Sequence, residues 1–153
     1  MSRVLIIGFG NPLRGDDSVG WRAAEELEHK LSGRGVEVIT RHQLTPELAD
    51  TVSRSTVVFF LDARCGVPGT ATCSRVRPQA PTEAFSHQLS PGAVLGLAQE
   101  LYGQTPLAFT FSIFGECFDA GEALSPQVTK NLPDLVARVA AMACASGIDS
   151  PSR

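Results

Sequence analysis

A chain of 153 residues with 43% apolar and 19% charged side chains has the make-up of one ordinary globular domain. Folding of a chain this long hides roughly 70% of the surface that the unfolded chain exposes. Its net charge of −3 argues against nucleic acid or an anionic membrane as the main partner, because both need a basic footprint.

The chain starts as a soluble protein would. Ser2-Arg3 leads straight into a strand-length apolar run with no secretory cleavage pattern, and no stretch nears the ~20 apolar residues that span a bilayer. A cytoplasmic location is expected. Cys65, Cys73, Cys117 and Cys144 form no C-x-x-C pair, so structural thiols in a reducing compartment are the default reading. Cys65 stands out only because it lies just past Asp62.

Strand 1 is expected over about Val4 to Phe9, followed by the glycine-rich stretch Gly8-Phe9-Gly10-Asn11-Pro12-Leu13-Arg14-Gly15-Asp16-Asp17. Helix 1 follows from about Asp17 to Leu31, with Val19, Ala23, Ala24, Leu27 and Leu31 on one face and Gly33 as its stop. Val36 to Thr40 alternates like a half-exposed strand. Thr45-Pro46 looks like a helix start, with Thr45 as N-cap. Val57-Val58-Phe59-Phe60-Leu61 is continuously apolar, as in a parallel strand buried on both faces, and ends at Asp62.

Ala71 to Val76 reads as an edge strand after the turn at Val67-Pro68-Gly69, and Pro78 to Phe85 as loop. Ser90-Pro91 opens a helix whose stripe is Val94, Leu95, Leu97, Ala98 and Leu101. Leu107 to Phe114 alternates as a strand. Ser125-Pro126 opens the last helix, with a kink expected at Pro133 before it resumes through Ala145. The whole predicts an α/β fold: a three-layer αβα sandwich around a mostly parallel five-stranded sheet with one antiparallel strand. Residues 1–149 form a single domain in this reading, and residues 150–153 a frayed tail.

Asp16 and Asp17 follow strand 1 and Asp62 follows strand 3. In a doubly wound sheet these strands often flank the crevice where strand order reverses, which is where ligands bind. Three acids converging there repel one another until a cation arrives or one takes up a proton. His87, in the loop before the Ser90 helix, is a candidate nitrogen ligand; His42, after strand 2, is the fallback. Two carboxylates, one imidazole and open positions suit a borderline metal such as nickel or zinc.

Each residue also has a plainer role. Asp16 is read first as a cap of helix 1, capping and exposure compete with ligation at Asp17, and His87 and His29 are by default surface histidines. Other chemistries are absent: Leu13 stands at the third glycine of a dinucleotide fingerprint, and there is no phosphate loop, G-x-S-x-G elbow or H-E-x-x-H helix.

The stretch from Gly8 to Gly20 closely resembles the N-terminal signature of the hydrogenase maturation proteases. The resemblance extends through Leu61-Asp62-Ala63, His87-Gln88-Leu89 and the run from Gly121 to Pro126, so it covers nearly the whole chain. It implies an endopeptidase that removes the C-terminal peptide of a [NiFe] hydrogenase large-subunit precursor once nickel has been inserted.

By that resemblance the ligand and catalytic set falls on Asp17, Asp62 and His87, and the nickel is supplied by the precursor rather than stably bound. Asp16 is a candidate general base. Arg14, His42, Gln43 and Arg64 are placed on a rim that accepts an extended peptide, and a monomer is expected. Ser18 stands where the family usually has glycine, and some members carry glutamate at the position of Asp17. The rivals are a non-catalytic metal- or anion-binding α/β module and a small-molecule metallohydrolase with a resident metal.

Overall fold

The alternating burial of successive strands builds the fold outward from one sheet. The computed structural model describes residues 3–80, 89–116 and 123–148, which form, in chain order, β1 (Val4–Phe9), a 3-10 turn (Gly15–Ser18), α1 (Val19–Lys30), β2 (Val36–Arg41), α2 (Leu48–Ser53), β3 (Val57–Cys65), β4 (Ala71–Val76), α3 (Pro91–Tyr102), β5 (Leu107–Gly115) and α4 (Pro126–Ala143). A π-turn, Cys144–Ile148, continues α4. The sheet order is β2-β1-β3-β5-β4; every pairing is parallel except β4 with β5. This is the expected mostly parallel five-stranded sheet with one antiparallel strand.

The two sheet faces carry separate cores. Val4, Ile6, Val57, Phe59, Leu61, Phe111 and Ile113 pack under α1 and α4. Leu5, Ile7, Val58, Phe60 and Ala108 pack under α2 and α3. Phe59, Phe60 and Phe111 are fully buried, each contributing about 2–3 kcal/mol of apolar transfer. The result is the three-layer sandwich. Since β1 leads to β2 on one side and β3 lies on the other, strand order reverses between β1 and β3.

Several local expectations are corrected. Asp16 and Asp17 lie in the 3-10 turn, and α1 starts only at Val19. β3 does not stop at Asp62 but runs on to Cys65, because β5 continues beside it and pairs Asp62 with Ser112 and Cys65 with Gly115. Thr45 and Pro46 form a turn ahead of α2, whose N-cap is Glu47. By contrast, α4 does continue past Pro133 as expected; this proline is exposed, so its missing donor lies at the solvent face, where the loss costs the helix least.

Other expectations hold. Ser90 Oγ accepts the Ala93 N–H at 3.1 Å, and Gly103 ends α3 in the left-handed region at φ 73°. The expected loop over 78–85 is described only to Ala80, and the expected tail lies outside the described residues.

Candidate functional site

The switch point becomes a cleft because β3 outlasts β1. Pairing between them ends at Gly8 opposite Leu61, so Asp62 has β5 on one side and open space where β1 would continue. Into that gap the chain after β1 brings Asp17. α1 sits close because Gly20 lies against the Phe9 and Leu61 carbonyls, where an added Cβ would come within 2.9 and 2.5 Å of oxygen. Gly10 takes φ 137° and passes under the Asp17 carbonyl, which admits no side chain there.

The resulting cleft holds about 200 Å³ and is lined by Phe9, Gly10, Asp17, His42, Gln43, Leu44, Asp62, Ala63 and Leu89. Asp17 is half-buried and its Oδ2 accepts the Asn11 N–H at 2.9 Å, which fixes the carboxylate without consuming both oxygens. Asp62 Oδ1 is buried and has no hydrogen-bond partner among the described residues.

Burial pushes the Asp62 carboxyl above the usual carboxylate range. The Ser112 hydroxyl and the Arg64 charge oppose that rise, and the negative charge of Asp17 adds to it. A buried carboxylate with an orphaned oxygen facing a second carboxylate is expensive by itself and suited to a cation or a proton.

Asp16 has a different fate from both roles read from the sequence. It is fully buried, and its Oδ2 accepts the Glu116 N–H at 2.8 Å while its Oδ1 accepts the Ser125 N–H at 2.7 Å. No side chain caps the 3-10 turn or α1 by a hydrogen bond. Asp16 instead ties the end of β5 to the start of α4, and it holds the N-cap residue of α4, Ser125, by its backbone. Its neighbour Asp17 is thereby anchored from below.

His42 is exposed on the cleft rim, edge-on to Trp21 with ring centroids 5.6 Å apart, and Trp21 Nε1 donates to the Arg41 carbonyl. Gln43 lies beside it on the cleft wall. Arg14 and Arg64 are exposed, and Arg64 lies two residues beyond Asp62 on β3. Cys65 is a free, exposed thiol that does not line this cleft. His29 is exposed on α1, away from this edge.

His87 lies outside the described residues, as does Cys117. Among the described residues no three His, Cys, Asp or Glu side chains are gathered closely enough to hold a metal ion. The described part of the site is therefore two carboxylates with an imidazole at the rim.

Sequence reasoning missed Ser112, which faces Asp62 from β5, and the apolar lining by Leu44, Ala63 and Leu89. The signal for Ser112 was present: Thr110 and Ser112 break an otherwise apolar strand at period 2, placing two hydroxyls on one face.

Fold and site together define a doubly wound α/β domain with a carboxylate-lined crevice at its switch point. No protein-family model matches the chain, and no curated protein does. Solved structures do. The chain is similar to the hydrogenase maturating endopeptidase HybD from E. coli, with 26% identity, a TM-score of 0.72, and coverage of 95% of this chain and 94% of that one.

It is also similar to an endopeptidase from Escherichia coli solved in solution, at 25% identity and TM-score 0.75, with the same coverage of both chains. It shares the fold of the [NiFe] hydrogenase maturation protease HycI from Thermococcus kodakarensis KOD1, at 20% identity, TM-score 0.74 and 92% coverage of each. The resemblance to the hydrogenase maturation proteases thus holds in structure over nearly the whole chain.

Proposed function

We propose that this protein is an endopeptidase that removes the C-terminal peptide of a [NiFe] hydrogenase large-subunit precursor after nickel insertion. The observation that carries the reading is the buried Oδ1 of Asp62, without a hydrogen-bond partner among the described residues, facing Asp17 across the crevice. The similarity to maturation endopeptidases supports it. The substrate's nickel supplies the missing positive charge. Asp17, Asp62 and His87 grip it, with His42 as the alternative nitrogen donor from the rim.

The nickel belongs to the client, so an unloaded precursor offers nothing to neutralise the two acids and is left uncut. Loaded nickel brings the scissile peptide to the cleft mouth and supplies Lewis-acid polarisation of its carbonyl. Asp17 keeps its carboxylate in place through the Asn11 N–H. Asp62, raised by burial, binds metal in its ionised form and so releases any proton it held. The general-base role is not given to Asp16, because each of its oxygens already accepts a backbone N–H in the interior. The protein acts alone in this reading, as a cytoplasmic monomer.

The test is the mass of nickel-loaded precursor after incubation with the protein. Loss of a C-terminal peptide with the wild type, and none with Asp17→Ala, Asp62→Ala or His87→Ala, is the expected result. Authentic loaded precursor left at full mass by the wild type contradicts the reading and favours a binding module. Stoichiometric metal in freshly purified protein favours a metallohydrolase with a resident ion.

A further inference from the structure

The step between β1 and β3 leaves a length of sheet edge bare beside the two acids. β1 stops pairing with β3 at Gly8 opposite Leu61, whereas β5 follows β3 through Asp62, Ala63 and Arg64 to Cys65. These residues are strand-paired on one side only. Among the described residues no backbone hydrogen bond from a turn or loop reaches them on the other side. Asp62 and Ala63 are half-buried and line the cleft, and Arg64 and Cys65 are exposed. On the β1 side the same cleft is lined by Gly10, which has no side chain to fill the space.

Strand geometry decides what such an edge accepts. Successive residues direct their backbone N–H and C=O groups to alternate sides of a strand, so about half of those from Asp62 to Cys65 face away from β5. Those groups must find partners, and another extended backbone supplies both donor and acceptor at the right spacing. The bare stretch is about 13 Å long, the reach of roughly four extended residues. Proteins usually cover or charge an open edge against unwanted pairing. Here the edge starts inside the cleft, where only a chain that enters beside Asp62 meets its first residues.

We propose that the client's C-terminal segment binds by adding a short strand to β3 along Asp62–Cys65, held by its main chain. The proposal rests on the endopeptidase reading above and adds how the peptide lies. Continuity identifies the occupant: the bare edge begins at Asp62, so a peptide cut beside that carboxylate is the chain nearest to it. β1 occupies the same edge of β3 up to Leu61, so the added strand runs from the reacting bond in one direction only. About three or four client residues on a single side of the cut are strand-paired, and those on the other side are not. Recognition of this kind reads the backbone first and tolerates varied side chains.

The experiment replaces single amides of the client by esters, one at a time, on both sides of the cut but not at the reacting bond. Each nickel-loaded precursor is assembled by joining a synthetic C-terminal segment that carries the ester. An ester deletes one N–H donor without adding bulk. KM for the wild type is expected to rise about three- to tenfold at every second position on one side of the cut, with kcat nearly unchanged. The intervening positions, and alanine at any of these client residues, leave KM within about twofold.

Ester effects at no position, without a two-residue period, or on both sides of the cut overturn the added strand while leaving the endopeptidase reading intact. So does a KM that responds to alanine and not to the ester. Failure of the wild type to cut the all-amide loaded precursor removes the endopeptidase reading and this one with it.

Discussion

Two adjacent aspartates, Asp16 and Asp17, have opposite fates because of what their backbone neighbours leave unpaired. Asp16 points inward and accepts the N–H groups of Glu116 and Ser125. Removing a buried charged acceptor of two backbone donors costs about 3 kcal/mol. Asp16→Ala is therefore expected to lower Tm by about 6–12 °C, read by thermal denaturation followed by circular dichroism. A Tm within a degree or two of the wild type contradicts that role.

Asp62 presents the reverse case. Its raised pKa means that the folded state holds the proton more tightly than the unfolded state. The associated stability is fully present below the ordinary aspartate pKa and is lost as pH rises through the raised value. Asp62→Asn, which cannot ionise, is expected to escape that loss. Its Tm should exceed that of the wild type at neutral pH, the gap should close in acid, and precursor processing should vanish. Equal Tm–pH profiles for the two proteins would show that burial at this position carries no such cost.

At the scale of elements, the cleft exists because β3 and β5 run on after β1 has stopped, and because α1 lies close enough to bring the 3-10 turn over the gap. Gly20 sets that approach. Gly20→Ala pushes a methyl into the Leu61 and Phe9 carbonyls and is expected to cost about 1–3 kcal/mol, measured by urea denaturation, while displacing Asp17 and slowing processing. Retention of full stability and activity would mean the helix has room to spare.

Much of this scale was legible in advance. The continuous apolar run at Val57 to Leu61, the alternation at Leu107 to Phe114 and the Ser-Pro helix starts each specify their element by local chemistry. What was not legible depends on partners distant in sequence. β3 extends past Asp62 because β5 pairs with it there, and Asp16 is a tie rather than a cap because Glu116 and Ser125 arrive from a hundred residues away. Asp17 and Asp62 were legible as a pair from strand ends and sheet topology, whereas the contact of Ser112 with Asp62 needed the third dimension.

Taken as a whole, the molecule is a sandwich with two apolar cores and one costly edge. The sheet order puts the reversal between β1 and β3, and the acids collect there because both strands end on that side. The described residues supply two carboxylates and a rim imidazole, and His87 lies outside them. Between the two nitrogen donors, His87→Ala is expected to abolish processing and His42→Ala to reduce it only a few-fold, in the same mass assay; the reverse outcome would move the ligand to the rim beside Trp21.

The most direct measurement compares binding of nickel-loaded and nickel-free precursor to the same immobilised protein. The account predicts that the wild type prefers the loaded form by at least about tenfold, a coupling of ~1.4 kcal/mol, and that Asp17→Asn/Asp62→Asn binds the two forms alike. Equal affinity of the wild type for both forms, or an undiminished preference in the double variant, would contradict the claim that these two carboxylates read the client's metal.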